Sequence, residues 1–333
     1  MTIKDVSEYS GVSQATVSRV INGTCRVSQH KKLKVEKAIK DLNYRPNSIA
    51  QALASSRTGS IGIIVPELGG PFYSCILHSI EERLRRMGYH VIVTAGSNTE
   101  QSQRESVEFL LGRRVDAMIL HTQSLSDDYL IDLDNKGIPV VLVNRYIPEM
   151  AHSCIEIDNE FGGRMATEYL LRMGHRNIAC ITGPLDRSDA RGRLQGYRKA
   201  LEEAEIVYDE ALVSEAGFTE ESGISAMRKL LKRESGFTAV FACNDHMAFG
   251  AYEVLKAEGM QVPEQISLVG FDDILFARYL TPALTTVNFP IEQMSAEAVQ
   301  LVIQALNKNK RDVNFKLTPT LVPRSSVKEL NSL

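Results

Sequence analysis

Apolar runs of four or five residues, each closed by turn residues, recur along most of this chain: Ile61–Val65, Val91–Ala95, Ala117–Leu120, Val140–Val143, Ile178–Thr182, Ala239–Ala242 and Ile266–Val269. Between most of them lie stretches of helix length: Phe72–Met87, Gln101–Leu111, Phe161–Met173, Ala190–Glu203, Ser222–Leu231 and Met247–Glu258. A short strand that is apolar throughout is covered on both faces, and alternation with helices supplies the covers. The pattern predicts an α/β fold of parallel sheets flanked by helices. Two such units, breaking near Glu156–Glu160, suggest two similar lobes with a cleft between them.

The first 58 residues read differently. Thr2 and Asp5 have the spacing of a capping box, so a helix should run to about Tyr9 and break before Gly11. Ser13 can cap a second helix, with Val12 and Val17 at the two ends of a hydrophobic staple. Two short helices joined by a tight glycine turn make a helix-turn-helix, although an ordinary helical hairpin has the same outline. In the former, the first residues of the second helix meet base edges in the major groove, here Gln14 and Ala15, with Arg19 one turn on. From Ser28 a third helix follows, with Leu33, Ala38, Ile39 and Leu42 near one face and most of Lys31, Lys32, Lys34, Lys37 and Lys40 elsewhere. Pro46 ends it. The next eight or so residues make at most two turns, below the ~12–15 residues at which an isolated helix holds in water, so this segment needs outside support.

Charge sharpens this division. The net charge of −3 hides 10 Lys+Arg against 4 Asp+Glu in residues 1–58, a local +6, leaving −9 for the remainder. A basic end on an acidic body is the footprint of a nucleic-acid-binding head; a solvated basic helix would give the same count, but here the charge coincides with the helix-turn-helix. At 333 residues, 44% hydrophobic and 24% charged, the chain fits two or three soluble domains. No apolar run approaches the ~20 residues of a membrane span, and the polar start predicts no signal peptide and a cytoplasmic location. Cys25, Cys75, Cys154, Cys180 and Cys243 form no CxxC pair and are odd in number, which predicts reduced packing residues.

In open parallel sheets, ligands bind beyond the carboxyl ends of the strands. Those positions hold Pro66–Tyr73, His121, Asn144-Arg145, Gly183–Arg193, Cys243-Asn244-Asp245 and Phe271-Asp272-Asp273. Carboxylates, amides and guanidinium groups with a few aromatics suit a sugar, whose hydroxyls need donors and acceptors and whose C–H face needs an apolar wall. Asp272-Asp273 or Asp186/Asp189 could suggest glycoside hydrolysis, but neighbours on an extended chain point to opposite sides. GxGxxG, Walker, GxSxG and HExxH motifs are absent, and the seven histidines lack metal-ligand spacing. No enzyme, catalytic residue, cofactor or metal is expected.

Thr2-Ile3-Lys4-Asp5-Val6, Gly11-Val12-Ser13 and Thr16-Val17-Ser18-Arg19-Val20-Ile21-Asn22 together resemble the opening of the lactose-repressor family of bacterial transcription regulators, and more closely its galactose-repressor branch. Arg193-Leu194-Gln195-Gly196-Tyr197 and Ser267–Asp273 extend the likeness. It implies a helix-turn-helix domain at 1–45, a hinge helix and linker at 46–58, and a two-lobed core like that of periplasmic binding proteins at 59–333. Lobe 1 would take about 59–157 and 289–318, and lobe 2 about 158–288 and 319–333. Gln14, Ala15 and Arg19 would read bases and Thr2, Thr16 and Asn22 would hold phosphates; Ser18, Asn47 and Ala50 complete the DNA-facing set with Leu53. The resemblance implies that Leu53 wedges into a minor-groove base step from a paired hinge helix, the alternative being a flexible linker. Arg193, Asn244 and Asp272 match the family's sugar-binding positions, Asp189, Asn144 and Phe218 match less constant ones, and Phe72 and Phe289 would add apolar contact. Asn244-Asp245 could equally cap a helix starting near His246, Asp273 could be a structural cap, and Arg145 could pair internally.

The function so implied is an allosteric homodimeric repressor, released from a near-palindromic operator by a sugar in the cleft. A corepressor-dependent regulator of the same family and a sugar receptor of the periplasmic-binding fold are the alternatives. The lactose repressor's added leucine-heptad helix has no counterpart before Leu333, so a dimer and not a tetramer is expected.

Overall fold

A computed structural model describes residues 1–21, 27–45, 57–97, 99–233, 236–308 and 315–330. The hinge reading at 46–58 falls largely outside these residues, as do Asn22, Cys25, Asn47, Ala50 and Leu53. By its contacts the chain forms two compact units, Met1–Ser60 with Arg114–Asp116, and Ile61–Arg113 with Ala117–Leu333.

In the first unit three helices, α1 (Ile3–Ser10), α2 (Gln14–Ile21) and α3 (Gln29–Asp41), enclose Val6, Val12, Val17, Val35 and Ala38. The predicted capping box is formed: Thr2 N donates to Asp5 Oδ2 at 2.7 Å and Asp5 N to Thr2 Oγ1 at 3.4 Å. Gly11 closes α1 at φ 65°, a left-handed conformation that costs glycine little. Val12 and Val17 are buried as a staple requires, while the Ser13 hydroxyl meets Thr16 Oγ1 at 3.0 Å. Leu33 departs from expectation and is 55% exposed. The seam that packs α3 is Val35, Ala38, Ile39 and Leu42, the i, i+3, i+4, i+7 series that a helix face demands.

The second unit holds two six-stranded sheets. The first has the order β11-β5-β4-β3-β1-β2, with β1 Ser60–Val65, β2 His90–Ala95, β3 Ala117–Leu120, β4 Val140–Val143, β5 Cys154–Ile157 and β11 Phe315–Leu317. The second has the order β12-β10-β9-β8-β6-β7, with β6 Ile178–Thr182, β7 Val213–Glu215, β8 Ala239–Ala242, β9 Ser267–Asp272, β10 Thr285–Asn288 and β12 Thr320–Val322. Parallel registers such as Ile61↔Ala117, Met118↔Val140 and Val240↔Leu268 join the central strands, and β12 runs antiparallel to β10. The central strands are buried along nearly their whole length, hence their continuous apolar runs.

Helices α4 (Pro71–Arg86), α5 (Glu100–Gly112) and α6 (Asp127–Asn135) follow strands of the first sheet. Helices α7 (Asn159–Arg172), α8 (Ser188–Glu203), α9 (Glu220–Lys232) and α10 (Asp245–Ala257) serve the second. The last helix, α11 (Ile291–Leu306), follows β10 yet packs on α4, β3 and β4. The chain therefore passes between the sheets three times, after β5, after β10 and between β11 and β12. Asp158 N donates to Leu317 O at 2.9 Å, tying two of these crossings together. Cys154, Cys180 and Cys243 are buried thiols as predicted; Cys75 is exposed on α4 and is not a packing residue.

Candidate ligand cavity and nucleic-acid face

The carboxyl ends of strands from both sheets converge on one cavity. It is lined by Phe72, Tyr73, His121 and Asn144 from the first lobe and by Arg187, Asp189, Arg193, Phe218, Asn244, His246 and Asp272 from the second, with Glu67 and Thr219 at its border. Seven of the eight predicted residues thus share a single space. Phe289 does not line it: it is buried behind Phe72, ring centroids 5.1 Å apart at 85°, so packing closes it off and it supports the wall. Asn144 (φ 56°), Phe218 (φ 64°) and Asp272 (φ 107°) occupy backbone conformations that L residues avoid. Such strain costs of order 1–3 kcal/mol each and collects at functional positions. Gly183 makes room for Phe218, since a Cβ there would overlap its ring.

Arg193 organises the polar side. Its Nε donates to Asn159 Oδ1 at 2.9 Å, its Nη1 donates to the Cys243 carbonyl, and its guanidinium lies 3.7 Å from the Phe271 ring centre and 3.5 Å from Asp272 Oδ1. Arg187 clasps Asp189 through two bonds, of 3.1 and 2.7 Å, and stacks over Phe218 at 4.7 Å. Burial would raise the Asp189 carboxyl, but the Arg187 charge and hydrogen bonds hold it below the usual range. Asp272 is the reverse case: burial pushes it up to about 7, with Arg193 opposing and Asp189 adding to the rise. Across the cleft, Asn144 Nδ2 donates to Asp189 Oδ2 at 3.4 Å and Gln123 Oε1 accepts from Ser188 Oγ at 3.3 Å.

The alternatives left open in the sequence resolve individually. Asn244 caps α10, Oδ1 accepting from Met247 N at 2.9 Å, while its Nδ2 donates to the Phe218 carbonyl; it is both a cap and a cavity wall. Asp273, just past the end of β9, does not line the cavity: its Oδ1 accepts from Arg324 Nη2 at 2.5 Å and its Oδ2 from Asn288 Nδ2 at 3.3 Å. Arg145 pairs internally with Asp127 at 2.6 Å. Among the described residues no group of three or more His, Cys, Asp and Glu could hold a metal, and no helix is long and apolar enough to cross a membrane.

Tyr73, His121 and Arg187 stood within the strand-end stretches but were not singled out, because nothing in one sequence separates a wall residue from its neighbours. Thr219 and His246 lay outside those stretches. Both sit at helix starts beyond β7 and β8, and β7 is too short to show as an apolar run.

In the head, Thr2, Gln14, Ala15 and Arg19 are exposed, and Thr16 and Ser18 are half-buried on the same helix. Lys4, Lys31, Lys32, Lys34, Lys37 and Lys40 are also exposed. α2 thus presents an amide and a methyl at its start and a guanidinium in its last turn, the groups that read base edges.

Residues 2–47 match the profile of bacterial regulatory proteins of the lacI family, and residues 167–327 match that of the periplasmic binding protein-like domain. The HTH-type transcriptional regulator GalR of Escherichia coli (strain K12) is 39% identical over 327 residues, covering 98% of this chain and 95% of the relative. The chain belongs to the lacI family. It is accordingly a helix-turn-helix transcription regulator, and its curated relatives are regulators rather than enzymes. The HTH-type transcriptional repressor PurR of Vibrio atlanticus (strain LGP32) is 36% identical over 333 residues, 99% of each chain. Among solved structures, the lac repressor dimer bound to operator and the anti-inducer ONPF shares a TM-score of 0.88 and 30% identity, covering 98% of this chain and 99% of that one. The transcriptional regulator CelR–cellobiose complex shares 0.75 and 37%, again over 98% and 99%.

Proposed function

We propose that this regulator is a cytoplasmic, dimeric repressor whose hold on a near-palindromic operator is released when a neutral sugar fills the cavity. One observation carries the reading: the cavity sets aromatic rings, Phe72 and Tyr73 from one lobe and Phe218 from the other, against the carboxylate, guanidinium and amide groups of Asp189, Asp272, Arg187, Arg193, Asn144 and Asn244. That division matches an amphipathic ring with an apolar C–H face and a rim of hydroxyls. The cavity volume is about 90 Å³. That is several times the ~10–15 Å³ minimum that admits a single water. Hydroxyl-specific sites of this kind reject analogues that leave their buried polar groups unpaired.

In this reading Arg193 and Asp272 bind vicinal hydroxyls, with Asp189, Asn144 and Asn244 beside them and Phe72 and Phe218 against the ring. Gln14, Ala15 and Arg19 read bases, Thr2, Thr16 and Ser18 approach the backbone, and Asn22, Asn47, Ala50 and Leu53 take the roles given by the family resemblance. A ligand shifts an equilibrium only by its differential affinity, so the sugar must bind the released form more tightly than the DNA-bound one. The test is fluorescence anisotropy of the full chain on a duplex it has selected from a random pool, titrated at several salt concentrations with and without a sugar panel. Affinity should fall with salt and drop at least tenfold with one sugar. A rise with sugar would mean corepression, and indifference to every sugar would end the sugar reading.

A further inference from the structure

His121 stands at the carboxyl end of β3, where its amide donates to the Ile64 carbonyl at 2.9 Å. The side chain is 3% exposed and lines the cavity. Its ring sits edge-to-face against Tyr73 at 5.3 Å and Phe72 at 6.2 Å, so the aromatic wall fixes its orientation. Neither Nδ1 nor Nε2 has a hydrogen-bond partner from another residue. Among the described residues the other buried, unpartnered side-chain atoms are hydroxyls of Thr94, Thr182 and Ser295, none of which lines the cavity. Buried polar atoms without partners are rare, and one that lines a cavity is open to a partner from outside the chain.

We propose that His121 is a specificity-determining residue that pairs directly with a hydroxyl of the bound ligand. The inference rests on the sugar reading and names a contact within it. A neutral imidazole carries one N–H donor and one bare nitrogen acceptor, and a hydroxyl is the ligand group that complements either. Burial pushes this imidazole down to about 4; Arg187 and Arg193 add to the fall, while Asp189 and the residue's own carbonyl oppose it. Tyr73, from α4, is the other titratable group against the ring, and burial holds its phenol protonated. The ring is therefore uncharged near neutral pH and keeps one donor and one acceptor nitrogen, the pair that a hydroxyl complements.

The test uses the full chain and calorimetric titration with D-glucose, D-galactose, D-ribose and cellobiose, then monodeoxy forms of the tightest binder. His121→Phe keeps the ring and removes both nitrogens; His121→Gln keeps a donor and an acceptor. Wild type should reject one deoxy analogue at least tenfold. H121F should bind the parent sugar at least tenfold more weakly and no longer distinguish it from that analogue, and H121Q should recover most of the parent affinity. Unchanged parent affinity in H121F, or an equal loss for every analogue, would overturn the contact while leaving the sugar reading intact. A wild-type chain that binds none of the sugars would overturn both. If H121F melts early, H121Q decides: loss of discrimination there would overturn the contact.

Discussion

The two lobes repeat one sheet order yet build opposite walls. The first lobe brings mostly rings, Phe72, Tyr73 and His121 with Phe289 behind them, beside Asn144 and Glu67; the second brings mostly charged and amide groups, Arg187, Asp189, Arg193, Asn244 and Asp272, beside Phe218 and His246. Their helices also pack differently. In the first lobe, α4 and α11 contain no glycine and meet through buried side chains such as Ile76, Ile80, Met294 and Ala298. In the second, Gly163 and Gly196 let α7 and α8 touch backbone to backbone, and Gly223 and Gly250 do the same for α9 and α10. A Cβ on Gly163 would collide with the Arg193 carbonyl itself. The lobe that holds charges in the dark is the one whose scaffold is pinned most closely, because buried ion pairs repay desolvation only when their geometry is held.

The largest blow to this asymmetry should come from Arg193→Met. It leaves Asp272 buried without its partner and should cost roughly 3–5 kcal/mol in urea unfolding and abolish sugar binding by calorimetry. Next is pH. The native Asp272 carboxyl titrates at about 7 and starts from 3.8 in a flexible chain, so the folded state binds the extra proton between those values. Stability from this group is present at low pH and lost as pH rises through the window, by roughly 4 kcal/mol at most. Unfolding at pH 5 and 7.5 should show the loss in wild type and a smaller one in Asp272→Asn. A wild type that gains stability on this account as pH rises would reverse the assignment.

Gly163→Ala should destabilise by about 1–3 kcal/mol through overpacking, and it should weaken sugar binding because the strain falls on Arg193. An Ala tolerated there with unchanged affinity would remove the pinned scaffold from the account. The smallest effect belongs to the aromatic wall. Phe72→Leu keeps an apolar surface and should cost about 1 kcal/mol or less by thermal unfolding, with a few-fold loss of sugar affinity. Should its effect match that of Arg193→Met, the two walls would not differ in kind.

Much of this was legible beforehand. The Ala117–Leu120, Val140–Val143, Ile178–Thr182 and Ala239–Ala242 runs coincide with strands, since burial on both faces leaves a continuous apolar signature. Cap and turn chemistry placed α1, because Thr2, Asp5 and Gly11 act on their immediate neighbours. β7, β11 and β12, three residues each, were missed or marked only as crossings, since an edge strand owes its existence to the partner it pairs with. α11 was missed although Met294, Ala298, Leu301 and Val302 repeat at helical spacing behind Pro290. Leu33 misled because a lysine-rich helix offers several faces to a pattern and only packing chooses among them.

What the chain determines by itself is therefore local or periodic: where strands and helices lie, how they start, and which strand ends carry polar groups. Only the tertiary structure decided that Asn144 faces Asp189 from another lobe, that Phe289 stands behind the wall, and that His121 is buried with both nitrogens unmet. Such facts depend on surfaces that meet across tens to hundreds of residues, and no spacing along a single chain encodes which of them will be left without a partner.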